Sequence, residues 1–212
     1  MTSREAMLKE IRTSLKRETG TPPPPPPPVR LVIPKVDRAA KVDSLLSKVA
    51  ALAGKTLHAS SMAEAREYVA GVIAGKSAVA SNEPFLKEAG ISTLPGVQCG
   101  FTEEAALREA CAVTDFGISS ATYALADTGS LVMISSLNEA RLVSLLPPVH
   151  IAIVPAERIL SGLDELYMLV PKPSDISSSM VLITGPSRTA DIEQLLVRGV
   201  HGPGEIHVVV VD

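Results

Sequence analysis

Tryptophan is absent, and Phe, Trp and Tyr together make up only 3% of the 212 residues. With a net charge of −3 besides, the chain has neither the stacking platforms nor the basic footprint that nucleic-acid binding needs. Cysteine is scarce: Cys99 and Cys111 stand alone, at a spacing that fits neither a zinc site nor an iron–sulfur run. The chain is therefore expected to bind no metal or cluster of its own and to keep both thiols reduced, in a cytoplasmic protein. Long apolar runs are missing too. Stretches such as Val208 to Val211 are far too short to cross a bilayer, and the first residues lack the apolar core of a secretory signal. There is no Gly-x-Gly-x-x-Gly. Gly185-Pro186-Ser187-Arg188-Thr189 lacks the second glycine and the Lys-Ser/Thr ending of a P-loop, so no nucleotide motif is present. No two histidines have the i, i+4 spacing of a helical metal site.

What is present is 46% hydrophobic residues, enough for one domain with a real core. Thr2 to Glu18 reads as a charged amphipathic helix. Thr2 and Glu5 are spaced as a capping box, and Met7, Leu8, Ile11 and Leu15 fall on one stripe. Pro22 to Pro28 should form an extended spacer of about 3 Å per residue, roughly 20 Å in all. Residues 1–28 thus read as a helix on a spacer, either a docking arm or a tail, and 29–212 as the domain. From Lys35 onward helix and strand patterns alternate. Helices are expected to end at Gly54 and Gly75, to run through 103–110 after Thr102, and to cover Ala156 to Tyr167. Strands are expected near 56–59, 77–80, 112–118, 130–135, 149–154, 181–184 and 206–211. Such alternation predicts an α/β sandwich, three layers around a largely parallel sheet.

Three stretches offer chemistry. Val181 to Thr184 is a strand stopped by Gly185 and Pro186. Ser187, Arg188 and Thr189 follow, then Ile192, Leu195 and Leu196 at helical spacing. A strand turning into a helix presents free N–H groups and hydroxyls to an anion. Asp127, Thr128, Gly129 and Ser130 precede another strand; they point either into a cleft or into a capping turn. Arg141 can aim a guanidinium fork at a carboxylate or phosphate, or make a surface ion pair. Among the four histidines, His201 lies in a Gly- and Pro-rich loop and suits proton transfer. His150, inside a strand, reads rather as a hydrogen-bonded core histidine, and His58 and His207 read as structural.

Five motifs in order resemble the lactate-utilisation (LUD) domain family. They are Asp115-Phe-Gly-Ile-Ser, Ala126-Asp-Thr-Gly-Ser-Leu-Val, Arg141 with Ser144-Leu-Leu-Pro-Pro-Val-His-Ile-Ala, Thr184-Gly-Pro-Ser-Arg-Thr-Ala-Asp-Ile-Glu, and Gly199-Val-His-Gly-Pro. The resemblance is strong over 114–212 and rests on element order before that. One departure is that Asp127-Thr128-Gly129-Ser130 stands where the family usually has Glu-Thr-Gly-Thr, which sets the carboxylate back by one methylene.

The resemblance implies a fold like that of ribose-5-phosphate isomerases, glucosamine-6-phosphate deaminases and CoA transferases. It also implies work in a three-protein bacterial system that oxidises L-lactate to pyruvate, whose partner subunits carry the iron–sulfur clusters. In the first reading this subunit binds a small anionic ligand. Arg141 or Arg188, with Thr184, Gly185, Ser187 and Thr189 and with Thr128, Gly129 and Ser130, would hold it; Asp127 or His201 would handle a proton. A second reading is a non-catalytic assembly subunit that docks through its N-terminal helix. A third, by fold analogy alone, is an independent enzyme of sugar phosphates or acyl-CoA.

Overall fold

The computed structural model describes residues 2–16, 22, 33–189 and 197–212. The chain divides into two units, Met1–Leu31 and Val32–Asp212. In the first, α1 (Ser3–Ser14) opens on the Thr2–Glu5 capping box, with the Glu5 carboxylate accepting from the Thr2 N–H at 2.8 Å. Apart from Pro22, the polyproline run lies outside the described residues.

In the second unit, the Asp37 carboxylate caps α2 (Arg38–Ala51) by accepting from the Ala40 N–H at 2.9 Å. Then come β1 (Lys55–Ala59), α3 (Met62–Ile73), β2 (Ala78–Ala80), α4 (Pro84–Glu88), β3 (Val97–Gln98) and α5 (Glu104–Val113). β4 (Phe116–Ser120), β5 (Tyr123–Leu125), β6 (Ser130–Ile134), α6 (Arg141–Leu145) and β7 (Val149–Pro155) follow. The chain goes on through β8 (Ile159–Leu160), α7 (Leu163–Leu169), β9 (Met180–Ile183), β10 (Arg188–Thr189), β11 (Val197–Arg198) and β12 (Glu205–Val211).

Six strands, in the order β1-β12-β7-β4-β2-β3, form an all-parallel sheet. Side chains of one strand point alternately to opposite faces. Val209 and Val211 accordingly pack with Val69, Ile73 and Leu86, whereas Val208 and Val210 pack with Val42, Leu45 and Leu131. Both faces are covered, so the strand reads as a continuous valine run rather than an alternation. This is the α/β sandwich anticipated.

The structure differs from the expectation in three details, the smallest being that residues 112–113, expected in a strand, still belong to α5. β6 and β9 do not join the parallel sheet; with β5 and β8 they form a second sheet, in the order β8-β5-β6-β9. The short link 126–129 between β5 and β6 permits an antiparallel pair only, because parallel strands need a crossover of about a dozen residues. The helix expected over Ala156 to Tyr167 is instead a 3-10 turn (Ala156–Arg158), then β8, then α7. Gly162 marks the break. A Cβ there would lie 2.5 Å from Asp127 Oδ2, so the backbone passes close against that carboxylate.

Candidate functional site

A cleft of about 660 Å³ opens at the amino ends of β7 and β12, lined there by His150 and Ile206, each the second residue of its strand. β9 and the segment Thr184–Arg188 line it further, together with Arg141, Ser144 and Leu145 of α6, the His201–Pro203 loop and Leu52. The chain leaves β9 through Gly185, at φ +80°, a left-handed turn packed against Leu52. Ser187 then ties two of these segments together. Its N–H donates to Pro203 O at 2.8 Å, its carbonyl accepts from the Gly199 N–H at 3.1 Å, and its hydroxyl accepts from the His201 N–H at 3.3 Å.

That geometry corrects the expectation of free N–H groups at this turn. The Ser187 N–H is committed to Pro203, and Arg188 and Thr189 start no helix but form β10, paired antiparallel with β11. The helical pattern at Ile192, Leu195 and Leu196 lies outside the described residues. The cleft also presents cationic side chains and hydroxyls. Arg141 and Arg188 both line the cleft and are exposed, as are Thr184 and His201. No Asp or Glu lines it among the described residues. An Arg188 Nη2 hydrogen donates to the carbonyl of Leu52, the residue that ends α2, which fixes one side of its fork.

His150 is the residue whose place the sequence does not disclose. It is a buried, hydrogen-bonded histidine, 1% exposed, with Nε2 2.7 Å from Ser119 Oγ. It nevertheless lines the cleft, and its Nδ1 has no partner. Burial, reinforced by the nearby His207, lowers its pKa from 6.5 to about 4, so the ring is neutral at physiological pH. A neutral ring with one nitrogen engaged offers the other to a ligand as donor or acceptor, according to tautomer.

The second motif does not line this cleft. Asp127 is exposed and lines a separate cavity of about 240 Å³ with Ser161, Gly162 and Asp164. Its N–H donates to Ser161 O at 3.2 Å. Asp127 and His201 therefore do not share a cleft. Thr128, Gly129 and Ser130 do not line it either, but the Ser130 hydroxyl is 2.7 Å from that of Thr184, which does. His207 is buried between the Tyr68 hydroxyl at 2.8 Å and Glu205 Oε1 at 2.7 Å, and His58 Nε2 lies 3.2 Å from Asp212. Among the described residues no three His, Cys, Asp or Glu are grouped to hold a metal ion, and no helix is long and apolar enough to cross a membrane.

A fully parallel sheet with helices on both faces, carrying an arginine-lined cleft at its amino edge, defines an α/β protein. Residues 42–211 match the LUD domain, and the chain belongs to that family. It is 38% identical over 115 residues to lactate utilization protein C of Halalkalibacterium halodurans, covering 52% of this chain and 50% of that one. It is 39% identical over 102 residues to the protein of the same name in Bacillus licheniformis, covering 46% and 42%. A third, from Macrococcus caseolyticus, is 38% identical over 100 residues, covering 45% and 43%. The chain thus spans about half the length of the curated relatives it matches. The fold is that of a DUF162 family protein from Deinococcus radiodurans solved at 1.70 Å resolution. The TM-score is 0.65 at 18% identity, over 84% of this chain and 99% of that one.

Proposed function

We propose that this chain is a subunit of a lactate-utilisation system and that its amino-edge cleft binds the carboxylate of a small hydroxy acid, L-lactate. The observation that carries the reading is a cleft lined by Arg141 and Arg188 and, among the described residues, by no carboxylate. Two guanidinium groups with no competing anion among the described residues favour a carboxylate, and the Thr184 and Ser187 hydroxyls would serve a neighbouring hydroxyl. The relatives named lactate utilization protein C support the choice of acid. Cys99 and Cys111 have no iron–sulfur spacing, and oxidation to pyruvate is assigned to cluster-bearing partner subunits, with this chain holding or presenting the acid.

Calorimetric titration with L-lactate tests this. The wild-type chain should bind, and Arg141→Ala and Arg188→Ala should each weaken binding about tenfold or more, as loss of a charge-assisted hydrogen bond predicts. A pair of variants that bind L-lactate normally and support normal growth on it would retire the cleft.

A non-catalytic assembly role is favoured by α1, which buries none of its residues and exposes Met7 and Ile11, with Leu15 exposed at its C-cap. Deleting residues 1–28 separates the two readings. Loss of partner binding with lactate binding intact supports docking by this helix.

A further inference from the structure

β2, β4 and β7 are neighbours in the parallel sheet. From β2 the chain runs outward to β3, but from β4 it runs the other way, to β7. Where connections part in this way, the carboxyl ends of the strands are the edge at which α/β sheets take ligands. Glu83 follows β2, Ser120 ends β4 and Arg158 follows β7, and all three line one cavity of about 300 Å³. That volume is at the small end of ligand pockets. The arginine cleft lies at the opposite edge, where β7 and β12 begin.

The two places also differ in charge. Of the residues that line this cavity, Glu83 and Arg158 are the charged ones, one of each sign and both partly buried. They do not pair with each other, and neither side chain makes an ion pair or hydrogen bond with another described residue. Withdrawing a charge from water is unfavourable unless a partner offsets it. A simple carboxylic acid would meet Arg158 but be repelled by Glu83, and a simple amine would meet Glu83 but be repelled by Arg158. A ligand that carries both charges satisfies both walls.

The other lining groups narrow the class. Thr122 Oγ1 accepts from the Ile134 N–H at 3.2 Å, and Ser136 Oγ accepts from the Asn138 N–H at 3.1 Å and the Glu139 N–H at 3.0 Å. Among the described residues both hydroxyl hydrogens are therefore uncommitted, and each can donate to a carboxylate. Ile134, Leu169 and Ile176 supply apolar surface, and the last two are 54% and 60% exposed. An apolar ligand side chain would take that surface out of water.

We propose that this cavity is a second ligand site and takes a zwitterionic amino acid with an apolar side chain, its carboxylate paired with Arg158 and its ammonium with Glu83. Nothing in this pairing depends on what the arginine cleft binds.

Calorimetric titration of the full-length chain with L-leucine tests it. The comparison ligands are 4-methylpentanoate, which lacks the ammonium, 3-methylbutylamine, which lacks the carboxylate, and glycine, which lacks the side chain. L-leucine should bind, and each of the three should bind about tenfold more weakly or worse. Glu83→Gln should weaken L-leucine about tenfold without weakening 4-methylpentanoate, and Arg158→Ala should weaken L-leucine about tenfold without weakening 3-methylbutylamine. A merely structural role for either residue would not sort the ligands by charge. In the wild-type chain, L-leucine should shift the amide resonances of Thr122, Ser136 and Arg158. Those amides unshifted, shifts confined to Ser187 and His201, equal affinity for any comparison ligand, or losses that ignore ligand charge in the two variants would each overturn the site.

Discussion

The hydroxyls of Ser130 and Thr184, 54 residues apart in the chain, lie 2.7 Å from each other. The contact sits beside the Leu131–Ile183 pair of β6 and β9, and Thr128 Oγ1 extends it to Ser130 at 2.8 Å. Thr128 and Ser130 thus reach the arginine cleft through Thr184, which lines it. Ser130 is 4% exposed. Ser130→Ala should therefore lower stability by about 1 kcal/mol, read as a fall in the urea midpoint. An unchanged midpoint would show that the pair contributes nothing to the rim.

Three glycines differ in what surrounds them, and the differences set the sign of substitution. A Cβ on Gly117 would lie 1.9 Å from Val143 O, so β4 and α6 would have to separate. Gly129, at φ +73°, would meet Lys48 Cβ at 2.7 Å. Gly71, within α3, would meet nothing within 4 Å. Gly117→Ala should cost about 3 kcal/mol or more and displace Arg141 with α6, whereas Gly71→Ala should add up to about 1 kcal/mol by helix propensity. Thermal denaturation of the two variants checks both, and Gly117→Ala melting with the wild type would contradict the packing described.

Two buried titratable groups should limit stability from opposite sides. The unfolded chain loses the Glu139 proton above about pH 4.5, while the folded chain holds it to about pH 8. Stability from this group is thus present in acid and is lost as pH rises through that window, on the order of 5 kcal/mol when complete. His150 acts the other way. The unfolded ring takes up a proton below about pH 6.5 and the folded ring only near pH 4, so stability falls with falling pH, on the order of 3 kcal/mol in full. The two slopes oppose each other between about pH 4.5 and about pH 6.5, which places the optimum there. Urea midpoints against pH should show the alkaline limb flattened in Glu139→Gln and the acid limb flattened in His150→Gln. Limbs unchanged in both variants would reject the assignment.

The same residues show what a sequence discloses and what it hides. Local signals were readable: the Thr2–Glu5 box, the helix that ends before Gly54 and the valine run of β12 each depend on neighbours a few positions away. Sheet membership was not. Ser130–Ile134 has the same pattern in either sheet, and only its pairing with β5 and β9 decides. In the arginine cleft, Arg141, Thr184, Gly185, Ser187, Arg188 and His201 are brought together, while Asp127 turns away to the Gly162 side. His150 hides because a histidine within an apolar strand looks like core, and here it is core and cleft at once. Glu139 hides more completely. Its burial comes from Ser81 and Ser120, 58 and 19 residues away, and no local pattern marks it.

Arg141 and Arg188 line one cleft but are held differently, so stability and binding should separate in their variants. Arg188 donates to the Leu52 carbonyl at the end of α2, whereas Arg141 has no ion pair among the described residues. Arg188→Ala should cost about 1 kcal/mol of stability besides its loss of lactate affinity, and Arg141→Ala should stay within about 0.5 kcal/mol of wild type. If both guanidinium groups hold one carboxylate, the double variant should lose less binding energy than the two single losses combined, by about 1 kcal/mol or more. Strictly additive losses would mean that the two arginines do not share a ligand, and the cleft would then present two independent cations rather than one clamp.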